Sequence, residues 1–276
     1  MSGAVRLLVF GPGYSASRLM AAVAARGGDV AAVTRATFGD VEGTRARIAA
    51  ATHILSSIPP GEGDPVLATY GGDLARSGAW LGYLSSTGVY GDTGGGWVDE
   101  SAPLRGRRGP RMAADQDWAA LPRACVIRLP GIYGPERSAL ERMAAGAVRV
   151  KFPGQVFSRV HVDDLVAGVI AAFDGPTGIY NLADDHPAPQ ADVLAYAAML
   201  LGTDPGPELA PDAVELSAAS RAFYAENRRV ANGKAKRLLG WRPQYSDYRL
   251  GLRALRASTS PASTSTPPPT ASSDQR

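Results

Sequence analysis

Two short stretches carry residue types that can do chemistry. Gly11-Pro12-Gly13-Tyr14-Ser15-Ala16 follows the apolar run Val5 to Phe10 and opens into a segment of helix-forming residues. A G-x-G-x-x-A turn in that setting has a defined physical use. Gly11 permits a tight turn, Gly13 lets backbone approach a pyrophosphate, and Ala16 keeps the helix close to its strand. Unpaired N–H groups and the dipole at the helix start then hold the anion. The chemistry implied is dinucleotide binding, with Tyr14 and Ser15 in the same cradle. The second stretch, Ser85-Ser86-Thr87, closes another apolar run. A hydroxyl there falls at the carboxyl end of a central strand, where open α/β sheets bind ligands. It can donate a hydrogen bond to an oxygen that gains negative charge. Ser86 and Thr87 are the hydroxyls at that end.

A third signal selects among cofactors. The run Val30 to Thr34 is followed by Arg35, where an NAD site usually places Asp or Glu on the ribose hydroxyls. An arginine pairs a 2′-phosphate instead, so NADP is the expected cofactor and NAD the alternative. Ser57, at the end of the run from His53, is expected to meet the nucleotide through its backbone.

These residues need a scaffold that brings strand ends together. Strand-like runs at Val5 to Phe10, Val30 to Thr34, His53 to Ser57, Trp80 to Ser85, Cys125 to Leu129 and Gly178 to Leu182 alternate with segments of helical spacing. The latter are Ser17 to Ala25, Pro65 to Arg76, Arg111 to Leu121, Asp164 to Phe173 and Gln190 to Leu201. Strands alternating with helices read as an α/β fold with a parallel sheet, and nearly continuous apolar runs suit strands covered on both faces. The expectation is a Rossmann-type doubly wound sheet over roughly the first 135 residues, with a small C-terminal substrate lobe. Arg35 to Ala51 is too short for helix, strand and helix, so a trimmed connection is expected there. Asp163 is placed as the N-cap before the apolar run from Leu165. Residues 1–256 form a single domain in this reading, with the lobe drawn mainly from about 136–160 and 178–256. Residues 257–276, rich in Ser, Thr and Pro, are expected to be a disordered tail.

Composition excludes several function classes. The chain has 276 residues, 45% hydrophobic and 20% charged, which suits a folded domain rather than a disordered chain. Cys125 is the sole cysteine, so neither an internal disulfide nor a cysteine-cluster metal site is available. Metal ligands are expected to be absent. No apolar run approaches a membrane span, and the start runs into a strand-like segment without a signal-peptide core; a soluble, cytoplasmic protein is expected. The net charge is +3, and only Lys151, Lys234 and Lys236 among 29 basic residues are lysines. The arginines are scattered among acids, without the concentrated basic face that nucleic acid requires. The expected partner is a small-molecule substrate.

Several blocks in order resemble the extended short-chain dehydrogenase/reductase superfamily, NAD-dependent epimerase/dehydratase branch. Besides the glycine loop, they are Tyr83-Leu84-Ser85-Ser86-Thr87-Gly88-Val89-Tyr90-Gly91, Arg128-Leu129-Pro130-Gly131-Ile132-Tyr133-Gly134-Pro135, Val160-His161-Val162-Asp163-Asp164 and Gly240-Trp241-Arg242-Pro243. The resemblance covers residues 3 to about 256. It implies that Ser86, four residues before Tyr90, faces the substrate carbonyl or alcohol, with Thr87 beside it as a second catalytic candidate. A Tyr-x-x-x-Lys pair should follow, the phenol serving as acid/base and the lysine binding the nicotinamide ribose. Arg107 and Arg111 stand in those slots, and no tyrosine lies between Tyr90 and Tyr133. A guanidinium stays protonated near neutral pH and cannot replace the phenol, although Arg111 can hold ribose hydroxyls. Tyr90 and Tyr133 become substitute phenols near the substrate, and Arg159 and His161 candidate substrate contacts at the lobe. Gly131 stands where many nucleotide-sugar enzymes carry Asn, which lowers the case for epimerase chemistry on such sugars.

The leading expectation is an NAD(P)-dependent oxidoreductase or epimerase/dehydratase-like enzyme, an atypical member of its superfamily. A catalytically inactive NAD(P)-binding sensor or scaffold is the alternative, motivated by Arg107 and Arg111. The resemblance also leaves a homodimer open.

Overall fold

A computed structural model describes residues 4–215, 221 and 224–259. Its center is a six-stranded parallel sheet of β1 (Arg6–Phe10), β2 (Asp29–Val33), β3 (His53–Ser56), β4 (Trp80–Ser86), β6 (Ala124–Leu129) and β10 (Gly178–Asn181), in the order β10-β6-β4-β3-β1-β2. Short β5 (Trp97–Val98) lies between β4 and β6 in the chain. β7 (Gly131–Tyr133), β8 (Arg149–Val150) and β9 (Arg159–His161) fall between β6 and β10, and β11 (Glu208–Leu209) and β12 (Arg229–Val230) follow. Three two-stranded pairs, β7 with β9, β8 with β11 and β5 with β12, stand outside the main sheet.

Alternating side chains of the strands feed two cores. Leu7 and Val9 of β1 pack on one face with Leu19 and Val23 of α1 (Tyr14–Ala24) and Leu165 and Val169 of α6 (Val162–Phe173). Leu8 and Phe10 pack on the other face. There they meet α2 (Val41–Ala50), α3 (Pro65–Arg76) and α4 (Gly109–Ala119) through Ile48, Tyr70 and Trp118. A third cluster joins α5 (Ala139–Ala144), α7 (Gln190–Leu201) and α9 (Tyr248–Thr259) through Leu140, Leu194 and Leu252. α8 (Gly233–Leu238) lies against β10.

The doubly wound α/β architecture is as the sequence leads one to expect, and so is the trimmed connection. A single helix, α2, carries the chain from β2 to β3, which crosses to the far side of β1. That reversal creates a crevice at the carboxyl ends of β1 and β3, the place where such sheets bind ligands. Three details differ from expectation. The sheet is not confined to the first 135 residues, because β10 pairs with β6 as its edge strand. The cap of α6 is His161 rather than Asp163: the helix begins at Val162, and His161 Nδ1 accepts the Asp163 N–H at 3.2 Å. Ala257 to Thr259 continue α9, and the rest of the expected tail lies outside the described residues.

Candidate active site

The glycine loop sits at the crevice between β1 and β3. Gly11 has φ +76°, a conformation that only glycine adopts cheaply, and a Cβ there would meet Ile58 Cγ1 at 2.7 Å. Its N–H donates to Val33 O at 2.9 Å. The Ser57 hydroxyl donates to Gly11 O, and the Ser57 N–H to Phe10 O at 3.0 Å, so Ser57 fixes the turn. Gly13 is different. Its backbone is extended, no side chain caps α1, and a Cβ added there would meet nothing within 4 Å. The start of α1 is thus uncapped by any side chain, and Gly13 leaves room beside it, the two features a bound phosphate needs. Ala16 is buried against the first core, Ser15 is nearly so, and the Tyr14 hydroxyl donates to Pro135 O at 2.9 Å. That bond ties the loop to the segment after β7. Arg35 follows β2, is exposed and makes no ion pair among the described residues.

A cleft of about 650 Å³ opens beside the end of β4. Ser86 and Thr87 form one wall, and Leu129, Gly131, Phe157 and Val230 others. Ser86 Oγ accepts the Gly88 N–H at 3.1 Å, which engages a lone pair and leaves its O–H hydrogen free to donate. Thr87 also lines the cleft.

The charge of this cleft is its most distinctive property. Arg107, Arg108, Arg111, Arg137 and Arg228 line it, against one carboxylate among the described residues, that of Glu226. Arg107 Nε lies 2.8 Å from Glu226 Oε1, and an Arg228 terminal nitrogen 2.6 Å from Oε2. Burial pushes the Glu226 carboxyl up, but the bonds from Arg107 and Arg228 hold it below its usual range. It remains an anion that braces two arginines rather than a proton donor. Both residues in the expected Tyr and Lys slots thus reach the same cleft, and among the described residues no tyrosine lines it.

The remaining candidates lie elsewhere. Tyr90 is fully buried beneath the cleft: its hydroxyl donates to Asn181 Oδ1 at 2.8 Å and accepts from Arg128 at 3.1 Å. Burial, partly opposed by Arg128, raises its phenol above the usual range, and its hydroxyl is engaged within the protein both as donor and as acceptor. His161 is also buried, with Nδ1 engaged as the α6 cap and Nε2 without a hydrogen-bond partner among the described residues; burial lowers its imidazole below the usual range, consistent with Nδ1 acting as an acceptor. Tyr133 and Arg159 line a second cavity instead.

Two groups of functional importance were not singled out from the sequence. One is the set of arginines at 108, 137 and 228, which separate segments bring into the cleft. The other is a buried network below it. Arg128 pairs with Asp115 at 2.6 Å and 3.0 Å, and the Ser85 hydroxyl donates to Asp115 at 2.6 Å. The network holds the residue preceding Ser86 and the Tyr90 end of the following turn. An arginine inside an otherwise apolar strand run, Ala124–Leu129, was the available sign of it.

No protein-family model matches the chain. A curated relative from a Streptomyces species, 3-diazoavenalumate denitrifying reductase, is 33% identical over 153 residues, 51% of this chain and 49% of the relative. The match thus spans about half the length of that relative. A functionally unknown conserved protein from Silicibacter pomeroyi is 40% identical, with TM-score 0.84 over 92% of this chain and 99% of the other. A protein from Methylobacillus flagellatus, described as an NAD-dependent epimerase/dehydratase, shares the fold at 20% identity, with TM-score 0.73 over 93% and 99% of the chains. Other solved structures of this fold hold NAD or NADPH. The chain belongs to one family with the Silicibacter pomeroyi protein, and its fold is that of the extended short-chain dehydrogenases/reductases of the NAD-dependent epimerase/dehydratase type.

Proposed function

We propose that the protein is an NAD(P)-dependent oxidoreductase, related in fold to epimerases and dehydratases, that acts on a carbonyl or alcohol group of an anionic small molecule. The observation that carries this reading is the state of Ser86. Its lone pair is engaged by the Gly88 N–H and its O–H is unspent, in a cleft with five guanidinium groups. A preorganised donor of this kind stabilises an oxygen that gains negative charge.

The glycine loop fits a dinucleotide. The uncapped start of α1 and the empty space over Gly13 would receive the pyrophosphate, with Gly11, Tyr14, Ser15 and Ala16 shaping the turn and Ser57 bracing it. Arg35 would pair the 2′-phosphate of NADP, and Arg111 the ribose hydroxyls. When bound, the nicotinamide would supply or accept a hydride at the substrate carbon. Ser86 would hold the substrate oxygen by donating its O–H, with Thr87 as a second hydroxyl. The cleft arginines would hold the anionic part of the substrate and raise its local concentration. Neither buried Tyr90 nor braced Glu226 is placed to deliver the proton, so in reduction it would reach the oxygen from solvent along the Ser86 and Thr87 hydroxyls.

Calorimetric titration with NADPH and NADH tests the cofactor assignment. Tighter binding of NADPH, reduced to the NADH level in Arg35→Ala, is the expected result. Equal affinity of the wild type for both, or tighter NADH, would overturn the NADP preference.

A further inference from the structure

Beside the arginine-lined cleft lies a second cavity of about 480 Å³, bounded by the β7 and β9 segments, α5, α7 and α9. Its walls are mainly apolar, with Ile132, Tyr133, Val193, Tyr248 and Leu252 among them. Arg159 lines it and is only 6% exposed. One Nη of its guanidinium donates to Phe157 O at 2.8 Å and Ala188 O at 3.0 Å, and the other to Gln190 Oε1 at 3.1 Å. All three acceptors are neutral, and among the described residues no carboxylate lies within ion-pair distance of the guanidinium. Of five N–H donors, the Nε–H and one Nη hydrogen have no partner among the described residues.

A buried cation without a counter-ion is costly, and the cost falls when an anion enters. The other ionic groups at the rim do not supply one. Glu141 is held in the capping box of α5 by Ser138, and Glu136 is exposed. Asp184, buried behind the cavity wall, acts on Arg159 only at longer range: it forms no ion pair with the guanidinium, and burial raises its carboxyl to about 8.

We infer that this second cavity is a binding site for a small aromatic monocarboxylate, whose carboxylate pairs with Arg159 and whose ring lies against the apolar walls. Two free N–H donors on one guanidinium match the two oxygens of a carboxylate. The volume falls in the range of small-molecule pockets, and the apolar lining suits a ring better than a sugar.

Benzoate and its neutral isostere benzamide are suitable probes for calorimetry on the full chain. Benzoate should bind and benzamide should bind at least about tenfold more weakly, the loss of one charge-assisted pair. Arg159→Gln should abolish the difference. Because that substitution touches a buried network, Val193→Phe provides a second test: it narrows the cavity while keeping Arg159, and should weaken benzoate by a similar factor. Arg111→Gln, in the neighboring cleft, should leave benzoate affinity within about twofold. Equal binding of the two probes, no benzoate binding at millimolar concentration, or loss of benzoate binding in Arg111→Gln but not in Val193→Phe would overturn the assignment. None of these readouts depends on dinucleotide binding or turnover.

Discussion

Arg107 and Arg111 occupy the positions where the family resemblance calls for a phenol and an amine, and both line the cleft. Their presence was legible in the sequence; their electrostatic setting was not. Glu226, 119 residues from Arg107 along the chain, braces it, and spacing alone cannot reveal a contact of that range. Tyr90 shows the opposite limit. A phenol close to the crevice in sequence is a reasonable acid, but its hydroxyl is consumed by Asn181 and Arg128. The network around Arg128 carries a stability prediction. Asp115 and Arg128 are both buried and paired, and removing one partner leaves an uncompensated charge. Asp115→Asn should cost about 3–5 kcal/mol of unfolding free energy, read from urea denaturation. A loss below about 1 kcal/mol would show that the pair does not anchor the turn carrying Ser86.

At the scale of elements, most of the scaffold was legible because its boundaries carry local chemical signals. The spans of α3 and α7 match expectation residue for residue. Asp64 caps α3 through the Val66 and Leu67 N–H groups with Pro65 in its first turn, while left-handed Gly202 ends α7. The cap of α6 was misplaced because Asp163 is a stronger cap by residue type, whereas the chain turns two residues earlier at His161. The place of β10 beside β6 depends on a long crossover and left no local mark. The glycine loop supports paired predictions. Gly13→Asp places a favorable N-cap where no protein atom stands in the way. It should keep thermal stability or raise it, yet weaken NADPH by at least about 100-fold, through charge repulsion with phosphate. Gly11→Ala should instead destabilise by about 1–2 kcal/mol, because of its φ and the approach of Ile58. Normal NADPH affinity in Gly13→Asp would remove the loop from the site.

For the whole molecule, the strand order reverses about β1, and because the sheet is parallel the glycine loop after β1 and the Ser86 turn at the end of β4 lie at its same, carboxyl end. The Tyr14 to Pro135 bond joins the glycine loop to the segment after β7. No helix among the described residues is long and apolar enough to cross a membrane. Global stability should respond to pH through Asp184. Its folded carboxyl is raised to about 8 by burial, so the folded state holds a proton that the unfolded chain releases near pH 4. The associated stability is present below about pH 4 and is lost as pH rises toward about 8. Asp184→Asn should flatten the decline between pH 5 and 8 in urea unfolding; an unchanged slope would contradict the assignment. The central claim, that Ser86 serves hydride transfer in a cofactor-dependent enzyme, is tested most directly by rapid mixing with NADPH and anionic carbonyl compounds, following nicotinamide absorbance. Wild type should oxidise NADPH with at least one of them. Ser86→Ala should bind NADPH within about twofold of wild type and transfer hydride about 10²–10³ times more slowly. Unchanged transfer in Ser86→Ala, or NADPH binding by wild type with no transfer to any of these compounds, would contradict the account.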